Sequence, residues 1–187
     1  MASTESFATR SGQLARQVMA ALSAAGHTVS AAESLTGGLL SVALADAPGA
    51  GKAFRGGVVA YTTGMKRELL GVDPDLLRAE GPVDPQVAAA MARGVRRVCG
   101  TTYGLATTGA AGPAPHGGAE PGTVFVALAT PTLTLVDRPA AVSGDRHAVQ
   151  ANTVRAVLEL FHRTLRPPAD DGGRICGGGD DDEAADQ

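Results

Sequence analysis

Ser34 is the first residue whose placement suggests chemistry. It stands in Ala32-Glu33-Ser34-Leu35-Thr36-Gly37-Gly38, where a β-compatible run gives way to a glycine-containing helical start. A hydroxyl at such a bend can be exposed, and the N–H groups that open a helix can face a developing negative charge. Ser34 is then a nucleophile; alternatively, Ser34 or Thr36 merely caps the helix. A nucleophile needs a base, and His27, His116, His147 and His162 form no compact Ser-His-Asp pattern. Lys66, just after Tyr61-Thr62-Thr63-Gly64-Met65, acts as one only if desolvation and nearby cationic groups keep its amine neutral; on the surface it is an ordinary solvated lysine. Thr107-Thr108-Gly109 places hydroxyl and amide donors where they suit either an oxyanion or a plain turn. Arg146 follows Gly144-Asp145 at a helix start, where it holds a phosphate or pairs with Asp145.

The elements that must position these groups alternate between strand and helix. Leu14, Val18, Ala21, Leu22 and Ala25 recur at helical spacing up to Gly26, after a frayed start over residues 1–10. Residues 28–32 read as a strand, 39–44 as a buried helix, 54–61 as a second strand and 65–70 as a short helix carrying Lys66 on its first turn. Residues 85–99 carry an apolar stripe from Val87 to Val98 with Arg93, Arg96 and Arg97 on the polar side. A third strand at 105–108 leads into residues 109–122, where five Gly and three Pro among 14 residues oppose regular structure and suggest a functional loop. Residues 123–130 and 132–136, separated by Pro131, pair as antiparallel strands, whereas the earlier alternation implies parallel crossovers. Ser143 or Gly144 opens a last helix that ends before Pro167-Pro168. The expected fold class is α/β with a mixed sheet.

Composition narrows the function classes. The 187 residues favour one globular domain. Alanine (35) and glycine (25) dominate, with no Trp and six Tyr or Phe, so the core relies on small side chains and few platforms exist for stacking nucleic-acid bases. The formal charge of −3 hides an asymmetry: residues 169–187 carry seven acids against Arg174, leaving the remainder at +3. That excess forms no long basic run, which disfavours nucleic acid and suits one small anionic ligand. The Gly- and Asp-rich residues 169–187 cannot bury enough apolar surface to order themselves and are expected to be a disordered tail. Cys99 and Cys176 form neither a disulfide framework nor a metal-ligand spacing, so a reducing compartment and no metal are expected. Without a leader-like start or an 18-residue apolar stretch, no membrane is expected and the cytosol is the default. Neither a Walker loop nor a GxGxxG turn is present.

Five segments in this order and spacing resemble the CinA C-terminal domain family, including its stand-alone nicotinamide-nucleotide amidases. They are Ala32 to Gly38 as quoted, Tyr61-Thr62-Thr63-Gly64-Met65-Lys66, Thr108-Gly109-Ala110-Ala111-Gly112-Pro113, Pro121-Gly122-Thr123-Val124 and Gly144-Asp145-Arg146, within residues 11–165. The resemblance implies a three-layer α/β/α domain over 11–168 that hydrolyses nicotinamide mononucleotide to nicotinate mononucleotide and ammonia, in pyridine-nucleotide salvage. It implies Ser34 as nucleophile, Lys66 as base, Tyr61 as a support of that pair, and Arg146 as phosphate anchor. Backbone donors at Thr36, Gly37 and Gly38, with Thr108 and Gly109, would surround the substrate. No cofactor is implied, and a homo-oligomer is. The chain departs from the family at Leu35, where Cys is common, at Gln150, where Arg is common, and over residues 114–119. A nucleotide-binding regulator without turnover, or an amidase of shifted substrate range, are the alternative functions.

Overall fold

The computed structural model describes residues 2–141 and 144–166. Its centre is a five-stranded sheet made of β1 (Val29–Glu33), β2 (Phe54–Val59), β3 (Tyr103–Gly109), β4 (Val124–Ala129) and β5 (Thr134–Asp137), in the order β2-β1-β3-β4-β5. β1 pairs in parallel with both β2 and β3, whereas β3–β4 and β4–β5 are antiparallel. The sheet is therefore mixed, as the alternation and the Pro131 turn predict.

Helices cover both faces. On one side, α1 (Ala2–Ala25) and α7 (Arg146–Leu165) pack with α2 (Leu39–Ala45) and α3 (Ala50–Ala53) around Met19, Leu22, Leu44, Leu158 and Phe161, against Val29, Ala31, Leu105, Val126 and Leu128 of the strands. Each wholly buried side chain of this size contributes about 1.5–3 kcal/mol. On the other side, α6 (Pro85–Cys99) and α5 (Pro74–Glu80) follow α4 (Thr63–Glu68) and meet a sheet face built from Ala32, Ala106, Ala127 and Ala129. This alanine face, with glycines at the contacts, draws α6 close. A Cβ on Gly104 would overlap the Ala92 carbonyl oxygen, and one on Gly94 would overlap that of Leu70. Gly104 thus sets the spacing between α6 and the sheet, and Gly94 the spacing between α6 and the turn after α4.

Several boundaries differ from the sequence reading, among them α4, which runs over Thr63–Glu68 with Lys66 in its last turn, and two helices are additional. Helical backbone in α1 already begins at Ala2, ahead of the apolar stripe. The additional helices are α3 and α5; the second starts at an Asp73-Pro74 cap in which Asp73 accepts the Asp75 N–H. The last helix is opened by Asp145, whose carboxylate accepts the Ala148 N–H at 2.8 Å, rather than by Gly144. Ser143 and the 169–187 tail lie outside the described residues. No described helix is long and apolar enough to cross a membrane.

Candidate active site

β1, β2 and β3 run in parallel and so end on the same edge of the sheet, where ligands of open α/β sheets collect. Ser34 follows β1 directly, and its N–H donates to Thr107 of β3 at 3.0 Å. After β2, the Thr62 hydroxyl caps α4 by accepting the Met65 N–H. That cap directs Lys66, the next residue, inward, where it is the largest fully buried side chain among the described residues. Its Nζ donates to Ser34 Oγ at 2.7 Å and to the Ala60 carbonyl at 3.0 Å. Neither partner is anionic, so nothing offsets the cost of desolvating an ammonium, and burial lowers the pKa from 10.5 to about 8. Of the two conditions the sequence reading sets for Lys66, desolvation and nearby cationic groups, the fold supplies the desolvation. The nitrogen that reaches Ser34 belongs to this lysine and to no histidine.

Ser34 and Leu35 open onto a cavity of about 210 Å³ whose wall includes Tyr61, Gly109, His116 and Arg146. Tyr61 is 59% exposed and forms part of that wall, beside the buried pair. Arg146, the first residue of α7, donates to the Gly112 carbonyl at 2.7 Å, which holds its guanidinium at the border with an adjoining cavity of about 330 Å³. With five donors, a guanidinium so tethered keeps others for an anion. A third, mostly apolar cavity of about 290 Å³ between α1, α2 and α7 lies apart from the pair.

The donors expected of the 34–38 turn require a correction. The Gly37 N–H bonds the Ser34 carbonyl at 3.2 Å and the Gly38 N–H bonds Glu33 Oε2 at 3.0 Å, so both are turned into the protein. Among the described residues, the N–H groups without an intramolecular acceptor in this turn are those of Leu35 and Thr36, both buried residues immediately after Ser34. The Thr36 hydroxyl pairs with that of Thr107 at 2.7 Å, and the Thr108 hydroxyl donates to the Pro82 carbonyl at 2.6 Å. These threonines brace the walls with their side chains.

Two further residues support the site in ways the sequence reading does not give: Glu33 is quoted there only as part of a segment, and Gln150 only as a departure from the family. Glu33 is fully buried behind Ser34, and Gln150 reaches from α7 to donate to the Leu35 carbonyl at 2.7 Å. Gln150 lies 115 positions from Leu35, so only the fold brings them together. Among the described residues, no group of three His, Cys, Asp or Glu could hold a metal ion.

This arrangement of Ser34, Lys66 and Arg146 at the strand ends coincides with a match of residues 11–165 to the model of the CinA C-terminal domain. The chain belongs to that family. A CinA-like protein of Frankia casuarinae is 51% identical over 138 residues, covering 74% of this chain and 32% of that protein. One from Myxococcus xanthus is 41% identical over 169 residues, covering 88% and 39%. The chain thus spans about a third of the length of these CinA-like relatives. The competence/damage inducible protein CihA of Agrobacterium tumefaciens superposes with a TM-score of 0.79 at 32% identity, over 83% of this chain and 95% of that one. Where the CinA resemblance leads one to expect Arg at position 150, Gln150 instead holds the backbone behind Ser34.

Proposed function

We propose that the chain is an amidohydrolase acting on the carboxamide of nicotinamide mononucleotide, with Ser34 as nucleophile and Lys66 as base. The observation that carries this reading is the 2.7 Å contact between Ser34 Oγ and a buried lysine whose pKa lies near 8. A lysine so shifted is partly neutral at physiological pH, and in that form its lone pair accepts the hydroxyl hydrogen. Ser34 Oγ then bonds the carboxamide carbon as its proton passes to Nζ. The Leu35 and Thr36 N–H groups stabilise the oxyanion. When the tetrahedral species collapses, the C–N bond breaks and Lys66 returns the proton to nitrogen, releasing ammonia. Water repeats the sequence on the acyl-enzyme: Lys66 takes its proton, the hydroxyl adds to the acyl carbon, and Ser34 leaves with the proton to give the free acid. Tyr61 and Gly109 flank the ring, and Arg146 binds the phosphate, in keeping with the +3 charge of residues 1–168.

The test is to incubate the purified protein with nicotinamide mononucleotide, without added nucleoside triphosphate, and to quantify ammonia and nicotinate mononucleotide together. Equal amounts of both are expected, with loss of turnover in Ser34→Ala. Folded protein that binds the nucleotide without forming either product would instead identify a regulator. Hydrolysis of other carboxamides in preference would identify an amidase of shifted range.

A further inference from the structure

Glu33 ends β1 one residue before Ser34, and its side chain is wholly buried. A buried carboxylate is costly unless its oxygens are paired, and here they are fully engaged. Oε2 accepts the N–H groups of Gly38 and Leu40, both at 3.0 Å. Oε1 accepts the Ser41 N–H at 2.8 Å and the Ser41 hydroxyl at 2.6 Å. An ionised carboxylate has about four acceptor positions, so Glu33 has none left for a reacting group. Its influence must pass through what it holds.

What it holds is the turn that carries Ser34. All four donors lie at the entrance to α2, so the carboxylate draws the start of that helix back against the end of β1. The chain between them must then close within residues 34–38, where the Gly37 N–H folds onto the Ser34 carbonyl and the Leu35 and Thr36 N–H groups remain available. The Glu33 main chain also reaches the base: its carbonyl accepts the Ala60 N–H at 2.8 Å, and the Ala60 carbonyl accepts from Lys66 Nζ. Gly57 of β2 completes the support, because a Cβ there would overlap Ser41 Oγ and force that hydroxyl to turn away from Glu33.

We propose that Glu33, with Ser41 seated over Gly57, is a positioning device that sets Ser34 Oγ and the Leu35 and Thr36 N–H groups in register with Lys66. The inference rests on the nucleophilic role given to Ser34 above and is independent of which carboxamide is the substrate.

The test uses a fluorophosphonate probe, whose fluoride Ser34 Oγ displaces and whose phosphoryl oxygen takes the place of a substrate oxyanion. Labelling of Ser34 is followed by intact mass across probe concentrations, giving a saturating rate and a half-saturation concentration for the wild type, Glu33→Gln, Ser41→Ala and Gly57→Ala. A carboxamide at position 33 presents N–H groups to donors, so the saturating rate should fall on the order of 100-fold, the scale of a misplacement of about 1 Å. Half-saturation should stay near the wild-type value. Ser41→Ala and Gly57→Ala retain the carboxylate and should show smaller losses in the same direction; they decide the question if Glu33→Gln does not fold. A merely structural role lowers the folded fraction, measured by circular dichroism, and leaves the rate per folded molecule unchanged. Wild-type saturating rates in the folded variants would overturn the inference, as would failure of the wild type to label at Ser34. A wild type that labels but leaves nicotinamide mononucleotide intact would overturn the proposed substrate alone.

Discussion

Replacing Lys66 with methionine keeps much of the side-chain length while removing the ionisable nitrogen, and should change how stability responds to pH. Burial lowers the Lys66 pKa from 10.5 to about 8 in the folded chain. At ~1.36 kcal/mol per pKa unit, the difference amounts to about 3 kcal/mol against folding when the amine is protonated in both states. Because the folded value is the lower one, the native state binds fewer protons between these two values, and stability rises with pH across that window. The penalty is complete below about 8 and fully relieved above 10.5. Moving from about pH 7 to 9.5 should therefore stabilise the wild type by about 2 kcal/mol more than Lys66→Met. Urea unfolding of both proteins at each pH and constant ionic strength measures this, since other titrating groups largely cancel in the comparison. The same ionisation should govern activity, with kcat/KM rising about tenfold per pH unit while the base is mostly protonated and levelling off above its pKa. Parallel stability profiles for the two proteins, or an activity inflection near 10.5, would refute the argument that the lysine is held neutral by burial.

Arg146→Ala should raise KM for nicotinamide mononucleotide about 10- to 100-fold, the scale of a lost hydrogen-bonded charge contact, while leaving the phosphate-free nucleoside nearly unaffected; equal effects on both would contradict the phosphate assignment. Gly94→Ala should destabilise the fold by about 1–3 kcal/mol in urea unfolding, since its methyl meets the Leu70 carbonyl, and an unchanged midpoint would show that α6 can move away without cost.

The parts of the fold readable in the sequence are those governed by local rules. Pro85 at a helix start, the stripe from Val87 to Val95 and the Pro131 turn between β4 and β5 each announce themselves within a few residues. α5 was readable too, because Asp73-Pro74 is a helix-start signal. α3, a single turn of four residues, has too little periodicity to register. In the site, residue types put forward Ser34, Lys66 and Arg146 beside plainer readings as a cap, a surface lysine and an ion pair, and it is the CinA resemblance that singles them out; neither says which N–H groups of the 34–38 turn stay unpaired. That choice is made by Glu33, which takes the Gly38 N–H, and by the Gly37 turn, neither of which follows a rule of helical or strand spacing. Burial of Lys66 was likewise invisible, since its neighbours Met65 and Arg67 belong equally well to an exposed turn.

The alanine face under α6 gives the two sides of the sheet different tolerances to enlargement. Toward α1 and α7, where Leu105, Leu128 and Phe161 fill space, trimming a side chain leaves a hole and enlarging one of the smaller residues can be met by repacking. Toward α6, Met91, Val95 and Phe125 can likewise be trimmed, but Gly94 and Gly104 admit backbone at close range and leave no room to enlarge. Because α5 and α6 connect the segment bearing Lys66 to the strand bearing Thr107, a single added methyl on that side should disturb the alignment of Lys66 with Ser34 before it unfolds the chain. The face richest in the smallest side chains is thus the one on which enlargement is most narrowly restricted.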